Sequence, residues 1–356
     1  MNRKSSRVTI YDIAQELHTS PSTVTRALNN QTCISAEMRR QVHETARRLG
    51  YQKNMLAHGL KAKPAKIGLI LRNKFPEYQN LIAAGARHAC NSLSDFNASI
   101  EIALLDIQDY DKRLQEKFAE MADSGCSGII FTPCSPNKAP EMDALIQEKN
   151  VRASTFFHES GMKNIDFYVR ADNVRAGRIA ADLLNMSGVK KGDIVAYFTG
   201  NNSLEHHSDN YRGFMEMNER YGFDVRVFEH QDNEKIAYFI TEQILFEQPS
   251  LKGIFCSTAV TVPVCRKLAE AGRSQDIVVI GTELLTNFVP YIEDSTLNAA
   301  IFQNPYKIGY LSYKNMYDCI NGLQIENRAV RINPQIVLRG NVSFYEDRIT
   351  NIDSEI

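Results

Sequence analysis

Donor and acceptor side chains are concentrated on a short helical pattern between Pro21 and Asn29. Its outward positions carry Pro21, Ser22 and Arg26, and Thr23 and Thr25 lie between them. An arginine guanidinium can form paired hydrogen bonds with O6 and N7 of guanine, a hydroxyl can donate or accept, and proline offers only apolar contact. These residue types favour contact with base edges in the DNA major groove. For Arg26, the alternative is a solvated arginine or one bound to phosphate.

Three amphipathic patterns would hold this segment in a small helical bundle. Thr9, Ser20 and Ser35 can cap the three helices, and Pro21 occupies the first position of the second helix. Apolar residues recur at helical spacing after each cap. The expected core residues are Ile10, Ile13, Ala14, Leu17, Val24, Ala27, Leu28, Met38, Val42, Ala46 and Leu49. With a turn at 18–19, the sequence predicts a helix-turn-helix whose second helix presents its N-terminal residues to the groove.

Charge divides the chain in the same place. Residues 1–66 contain twelve Lys and Arg against four Asp and Glu, or about +8. The whole chain has a net charge of −1, so residues 67–356 carry about −9. A concentrated basic region attracts a polyanion, because neutralising phosphates releases counterions. The first part of the chain is therefore expected to bind nucleic acid, and the acidic remainder to do something else.

Three stretches of this headpiece follow one known pattern at several fixed spacings: VTIYDIA from Val8, STVTRALN from Ser22 and ISAEMRRQVHETARRLGYQKN from Ile34. They resemble the headpiece of the LacI/GalR family of bacterial transcription regulators. The resemblance implies a DNA-binding headpiece over residues 1–53, followed by a hinge. The residues expected to contact DNA are Thr9, Tyr11, Pro21, Ser22, Thr23, Thr25, Arg26, Asn29, Asn54, Ala57, Leu60 and Lys61.

The hinge is expected over residues 54–65, where the chain reads NMLAHGLK from Asn54. In the family this segment becomes helical on operator DNA, and a leucine pair from the dimer wedges into a central base step, which bends the duplex. Leu60 matches that leucine. Lys53 departs from the family, which usually has proline there, and Gly59 lowers helix propensity by about 1 kcal/mol relative to alanine. Without the resemblance, residues 54–63 would be a plain linker.

Beyond the hinge, short apolar runs alternate with amphipathic stretches. The runs are IGLIL at 67, IEIALL at 100, GIIF at 128, DIVAYF at 193, GIF at 253, DIVVI at 276 and NAAI at 298. This rhythm predicts parallel sheets with helices on both faces, in two doubly wound lobes. The stretches VRADNVRAGRIAADLL, YRGFMEMNERYGF and LNAAIFQNPYKIGYLS resemble the periplasmic sugar-binding-protein fold, which is the effector domain of the same family.

The expected fold class is therefore a small all-α helix-turn-helix headpiece followed by an α/β two-lobed periplasmic-binding-protein-like domain. The resemblance implies an effector-binding and dimerisation domain over residues 66–343, with crossings between lobes near Ala171, Gln303 and Pro334. The N-lobe would take about 66–171 and 304–333, and the C-lobe about 172–303 and 334–343. The tail, 344–356, has no leucine repeat, which favours a dimer over a tetramer.

Loops that follow strands should meet in the cleft between the lobes, the usual ligand position in open α/β sheets. The loop positions give Asn73, Phe75, Tyr78 and His158 as expected effector contacts. The resemblance adds Asn210 and Glu283, where the family often has an arginine and an aspartate, and Gln303 on a crossing between the lobes. Their carboxylate, amide and aromatic groups suit a ligand with several hydroxyls. A phosphorylated ligand would call for clustered Arg or Lys, and Arg72 and Arg175 near these positions keep that alternative open.

Several of these residues have structural alternatives. Phe75 or Tyr78 can pack at a dimer face, and His158 can lie in a surface loop. The pair His206 and His207 lacks Cys, Asp or Glu partners at metal-ligand spacing, so an exposed loop is expected there and no metal or cofactor.

An enzyme is not expected. The chain has no GxSxG elbow, HExxH pair, P-loop or GxGxxG turn after the first strand. Asp172 and Glu283 could form a glycosidase pair, but a binding cleft uses the same residue types. The seven cysteines are scattered without a CxxC motif, which favours a reducing compartment.

The sequence thus predicts a cytoplasmic, homodimeric DNA-binding regulator, without a membrane span or secretory signal. It is expected to repress carbohydrate-metabolism genes from a pseudo-palindromic operator under the control of a sugar or sugar derivative. One alternative is a corepressor-type regulator that senses a nucleobase or a phosphorylated metabolite. A remoter alternative is a solute-binding protein, which would not need the headpiece.

Overall fold

A computed structural model of the chain describes residues 8–28, 34–49, 64–323, 325 and 327–345. The headpiece has three helices: α1 (Ile10–Glu16), α2 (Pro21–Leu28) and α3 (Ala36–Leu49). The expected caps are confirmed. The Asp12 carboxylate accepts the Thr9 backbone N–H at 2.6 Å, Ser20 Oγ accepts the Thr23 N–H at 3.1 Å, and Ser35 Oγ accepts the Met38 N–H at 3.3 Å.

The headpiece helices pack around a small apolar core. Its fully buried members are Ile13, Ala14, Val24, Ala27, Val42 and Ala46, and the other expected core residues pack against them. His18 makes the turn between α1 and α2 in the left-handed region, with φ 50°, a conformation that histidine adopts more readily than most residues. The predicted helix-turn-helix is confirmed. The expected DNA contacts Asn29, Asn54, Ala57, Leu60 and Lys61 lie outside the described residues.

The first lobe is built on a six-stranded parallel sheet in the order β11–β5–β4–β3–β1–β2. The strands are β1 (Ala65–Arg72), β2 (Ala98–Leu105), β3 (Gly128–Phe131), β4 (Arg152–Phe156), β5 (Phe167–Ala171) and β11 (Ala329–Ile332). The helices of this lobe are α4 (Pro76–Asn91), α5 (Tyr110–Asp123), α6 (Ala139–Lys149) and α12 (Pro305–Ile320). Helices on both faces bury the central strands, as the apolar runs predict.

The second lobe repeats this plan with the sheet order β12–β10–β9–β8–β6–β7, in which only β12 runs antiparallel to its neighbour. The strands are β6 (Ile194–Thr199), β7 (Asp224–Glu229), β8 (Leu251–Cys256), β9 (Val278–Thr282), β10 (Ala299–Phe302) and β12 (Gln335–Val337). The helices are α7 (Asn173–Met186), α8 (Glu205–Tyr221), α9 (Glu234–Glu247), α10 (Thr261–Glu270) and the short α11 (Val289–Glu293).

The chain passes between the two sheets three times. It leaves the first sheet after Ala171, returns between Phe302 and Pro305, and crosses again between Ile332 and Gln335. Because the crossings lie side by side, the carboxyl ends of strands from both lobes face one cleft. Within the described residues, no helix is long and apolar enough to span a membrane.

Each lobe contains one helix pair held at very short range by glycines. A Cβ on Gly85 of α4 would lie 1.9 Å from the Tyr306 carbonyl oxygen, and a Cβ on Gly309 of α12 would lie 1.9 Å from that of Ile82. The pair α7 and α8 is built alike, because a Cβ on Gly177 would lie 2.0 Å from the Asn210 carbonyl oxygen. In both lobes, therefore, backbone packs directly on backbone.

An alanine at Gly85 or at Gly177 should force the paired helices of that lobe apart. Gly85→Ala and Gly177→Ala are each expected to lower the free energy of unfolding by about 1–3 kcal/mol or more, because a methyl group has no room against rigid backbone. Gly340→Ala is the matched control, since no atom lies within 4 Å of its added Cβ. Urea unfolding measures the difference. Wild-type stability in Gly85→Ala would contradict this packing.

Candidate ligand cleft and nucleic-acid interface

A cavity of about 290 Å³ lies between the lobes. The first lobe contributes Arg72, Lys74, Phe75, Tyr78, Thr132, Ser135, Phe157, His158 and Arg170, among others. The second lobe contributes Asn173, His206, His207, Asn210, Asp232, Ser257, Thr258, Thr282, Glu283 and Gln303. The cavity therefore combines apolar, cationic and hydrogen-bonding groups from elements that are distant in sequence.

Most of the expected effector contacts line this cavity: Phe75, Tyr78, His158, Asn210, Glu283 and Gln303. Asn73 is not among the lining residues, so its contact with an effector stays a prediction. The chain turns at this residue, because the Lys74 backbone N–H donates to the Arg72 carbonyl at 2.9 Å. The Asn73 backbone N–H instead donates to the Leu105 carbonyl at 2.8 Å, which continues the pairing of β1 with β2.

One wall of the cavity is aromatic. Phe75, Tyr78 and Phe157 all come from the first lobe, and the ring centres of Tyr78 and Phe157 lie 6.1 Å apart. The opposite wall is polar. Gln303 lies near the second crossing and donates to Asn173 Oδ1 at 3.1 Å. A ring-shaped ligand could thus lie against aromatic faces with its polar edge towards the second lobe.

Ion pairs join the two lobes around the cavity. Lys74 Nζ lies 2.7 Å from Asp232 Oδ2. The Arg170 side chain, only 2% exposed, contacts Glu205 at 2.7 Å and Asp209 at 2.6 Å. Removing one partner from such a buried pair leaves an uncompensated charge, which is strongly destabilising. Sequence reasoning missed Arg170 because a lone arginine in a strand has no distinguishing pattern.

Three imidazoles form a cluster in the cleft. The ring centres of His158 and His206 are 5.6 Å apart with nearly parallel planes, and those of His206 and His207 are 4.0 Å apart. The expected exposed loop at His206 and His207 is wrong: both lie in the first turn of α8. His206 stacks on His158 of the first lobe, and His207 is buried near Asp232 of the second lobe. No group of three or more His, Cys, Asp or Glu in the described part of the chain could hold a metal ion.

Burial determines the charge of these rings. It lowers the pKa of His158 to about 4 and lowers the pKa values of His206 and His207 as well. The rings are therefore neutral near pH 7. The Nδ1 atom of His206 is buried without a hydrogen-bond partner in the protein. It can serve a ligand as either donor or acceptor, depending on the tautomer.

Glu283 is the most perturbed carboxyl group of the cleft. Burial raises its pKa to about 8, so the group is mostly protonated at pH 7. Its backbone has φ 75°, and Phe157 in the same cavity has φ 70°. Non-glycine residues in this region carry strain, which tends to occur at ligand-binding positions. Glu283 can therefore offer both a hydroxyl donor and an acceptor oxygen.

Several other buried polar atoms of the cavity lack a partner in the protein. They include Asn210 Oδ1, Ser257 Oγ, Thr282 Oγ1 and Glu283 Oε2. Buried groups without partners are costly and rare in native proteins. A ligand with several hydroxyl groups would satisfy them together, so the cavity is chemically suited to a polyol.

The second candidate site is the exposed face of the headpiece. Thr9, Ser22, Thr25 and Arg26 are exposed, as is Tyr11 at 68%, whereas Pro21 and Thr23 are partly buried. Three hydroxyls are already engaged: Thr25 donates to the Pro21 carbonyl at 2.9 Å, and Ser22 and Thr23 contact Ser20 Oγ at 3.0 and 2.8 Å. Arg26 forms no ion pair with the described residues, so it offers the strongest readout group on α2.

The Glu283 carboxyl should make stability fall as pH rises. Its pKa is about 8 in the folded protein against an ordinary 4.5, so the folded state holds the proton across that window and loses stability as pH increases through it. Glu283→Gln is expected to raise the free energy of unfolding by more than about 1 kcal/mol at pH 8 and by little at pH 5. Melting temperatures at the two pH values test this; a gain independent of pH would contradict it.

The histidine cluster should act in the opposite direction. Unfolded histidine binds a proton near pH 6.5, whereas folded His158 stays neutral down to about pH 4, so stability is lost as pH falls through that interval. His158→Gln should make the loss of stability between pH 7 and pH 5 shallower. Thermal melts of the two-lobed domain, hereafter the body, measure this. His18→Gln, exposed in the headpiece, is the control. Equal slopes in His158→Gln and the wild type would show that folded His158 takes up its proton over the same pH range as the unfolded chain.

Comparison with known proteins finds matches for both parts of the chain. Residues 67–324 match the family model described as periplasmic binding protein domain, and residues 9–54 match that described as bacterial regulatory proteins, lacI family. The transcriptional regulator RegA of Clostridium saccharobutylicum is 23% identical over 93% of this chain and 98% of its own. Catabolite control protein A of Staphylococcus epidermidis is 24% identical over 94% of this chain and 98% of its own.

Solved structures share the fold of the body. A solute-binding protein from Actinobacillus succinogenes with bound D-allose has a TM-score of 0.70 and 18% identity, covering 79% of this chain and 100% of its own. One from Bacillus halodurans with bound myo-inositol has a TM-score of 0.69 and 15% identity, covering 81% of this chain and 99% of its own. The chain therefore belongs to the periplasmic binding protein domain family through residues 67–324, and it carries a headpiece of the lacI family of bacterial regulatory proteins before that domain.

Proposed function

We propose that this regulator is a repressor of carbohydrate-metabolism genes whose affinity for DNA depends on a small carbohydrate-derived ligand in the cleft. It acts in the cytoplasm as a homodimer on a pseudo-palindromic operator. The observation that carries the proposal is the presence, in one chain, of a helix with an exposed Arg26 and a cleft of unpartnered polar groups. A transport protein would need only the second.

The nature of the cavity supports a carbohydrate. Aromatic faces on one side and buried hydrogen-bonding atoms on the other match a ring with an apolar face and a hydroxyl-bearing edge. Proteins of the same fold have been crystallised with D-allose and with myo-inositol, both rich in hydroxyls. Asp172, the carboxylate that could have paired with Glu283 in catalysis, instead caps α7 and is not among the cavity residues. We therefore propose binding without chemical conversion.

Control of DNA binding would arise from the lobes. The Lys74–Asp232 contact and the stacked His158 and His206 rings join the two lobes at the cavity. A ligand inserted there changes these contacts and hence the preferred angle between the lobes. In a dimer that angle sets the spacing of the two headpieces. The effect is a coupling free energy between two sites and must be reciprocal.

A second candidate is a corepressor-type regulator, whose ligand strengthens operator binding. Its ligand would be a nucleobase or a phosphorylated metabolite. The observation that favours a phosphorylated ligand is the presence of Arg72 in the cavity, because a cationic side chain is the usual partner of phosphate.

The DNA half of the proposal is tested by selecting operators from random duplexes with the full chain. Arg26→Ala should weaken binding to the selected operator by about 5- to 150-fold and relax the preference at one base pair, because a forked arginine–guanine contact is lost. Lys112→Ala, an exposed change on α5, should have no effect. Failure to enrich any sequence would overturn the proposal. Equal losses on all sequences would assign Arg26 to phosphate.

A further inference from the structure

Three cationic side chains line the cavity, and two of them are neutralised by the protein. Lys74 is paired with Asp232 at 2.7 Å. Arg170 is paired with Glu205 and Asp209 at 2.7 and 2.6 Å. The third, Arg72, forms no ion pair with any described residue. Its positive charge is therefore the only one of the three that the described residues leave uncompensated.

Arg72 is nevertheless held in place. It ends β1, and its backbone N–H donates to Thr132 Oγ1 at 3.3 Å. Its guanidinium carbon lies 5.3 Å from the centre of the Tyr110 ring. That ring is buried, and its hydroxyl donates to the Thr132 carbonyl at 2.6 Å. A fixed aromatic face thus supports the guanidinium, as in a cation–π contact.

The hydrogen-bonding capacity of Arg72 is not used up. Its Nε is buried without a hydrogen-bond partner in the protein. A guanidinium presents donors in a planar fork that fits a carboxylate or a phosphate. A partly buried cation with free donors, facing a ligand cavity, is the arrangement expected before an anion binds.

The acidic groups of the cavity do not oppose an anion. Asp232 is already neutralised by Lys74. Burial raises the pKa of Glu283 to about 8, so this carboxyl carries little negative charge at pH 7. The imidazoles are neutral as well, because burial lowers the pKa values of all three. The charge left at the cavity is that of Arg72.

We propose that Arg72 binds an anionic group carried by the carbohydrate ligand, so that the effector is an acidic sugar derivative rather than a neutral sugar. The anion is a carboxylate or a phosphate, both of which accept two hydrogen bonds from a guanidinium fork. The inference rests on the proposed function, because it assumes that the cleft binds a carbohydrate. It adds the class of effector and the residue that selects it.

The test is calorimetric titration of the full chain with matched sugars. The panel contains D-glucose and D-galactose, their aldonates and uronates, and their 6-phosphates. At least one acidic derivative should bind about tenfold or more tightly than its neutral parent, since a hydrogen bond between charged groups is lost in the parent. The sugar acids and the phosphates distinguish the two sources of the anion.

Variants assign the effect to Arg72. Arg72→Gln should remove the preference for the acidic derivative, and Arg72→Lys should keep part of it, because lysine retains the charge but not the fork. Arg178→Gln is the matched control, since Arg178 pairs with Glu216 away from the cavity. Melting of each ligand-free variant verifies folding; if Arg72→Gln does not fold, Arg72→Lys decides through its weaker preference.

The outcomes separate the two proposals. If neutral sugars bind as tightly as their acidic derivatives, or if the Arg72 variants keep the full preference, the inference is overturned and a carbohydrate effector stands. If no member of the panel binds, the carbohydrate effector is overturned and the inference falls with it. Tighter binding of an acidic derivative, abolished only by the Arg72 change, supports both.

Discussion

The buried guanidinium of Arg170 sets the geometry on which the cleft depends. It lies at the end of β5, one residue before the chain first crosses to the second lobe, and reaches Glu205 and Asp209 on α8. The first turns of α8 carry the imidazoles and the amide that form one wall of the cavity. Because a buried charge cannot lose its partners cheaply, the ion pairs hold that wall against the first lobe.

Other contacts around the cavity add to the rigidity that the Arg170 ion pairs provide. The Lys74–Asp232 pair makes a second bridge between lobes, and the glycine contacts fix the helices behind both walls. Within such a rigid frame, strained or unpartnered groups such as Glu283 can persist, since the surrounding packing determines their position. The body shares its fold with transport proteins that bind sugars. Under the proposed function, the headpiece would allow ligand binding in the cleft to affect DNA binding.

Local chemistry made much of this predictable. Caps and apolar spacing located the headpiece helices because both are determined within a few residues. Cleft residues could be found because strand ends converge in open sheets. Arg170 was missed because its partners come from the other lobe. The burial of His206 and His207 was missed because it depends on residues distant in sequence, His158 and Asp232. Some strands were not predicted either. β5 and β7 carry charged residues that interrupt an apolar run, and β11 and β12 are only four and three residues long.

The central claim is that the cleft and the headpiece are coupled, and reciprocal titration tests it most directly. Operator affinity is measured by fluorescence anisotropy with and without saturating ligand, and ligand affinity by calorimetry with and without operator. The account predicts the same factor in both measurements, of at least about fivefold. Unchanged operator affinity at ligand saturation would contradict it, and would leave the chain as two binding sites that happen to share a polypeptide.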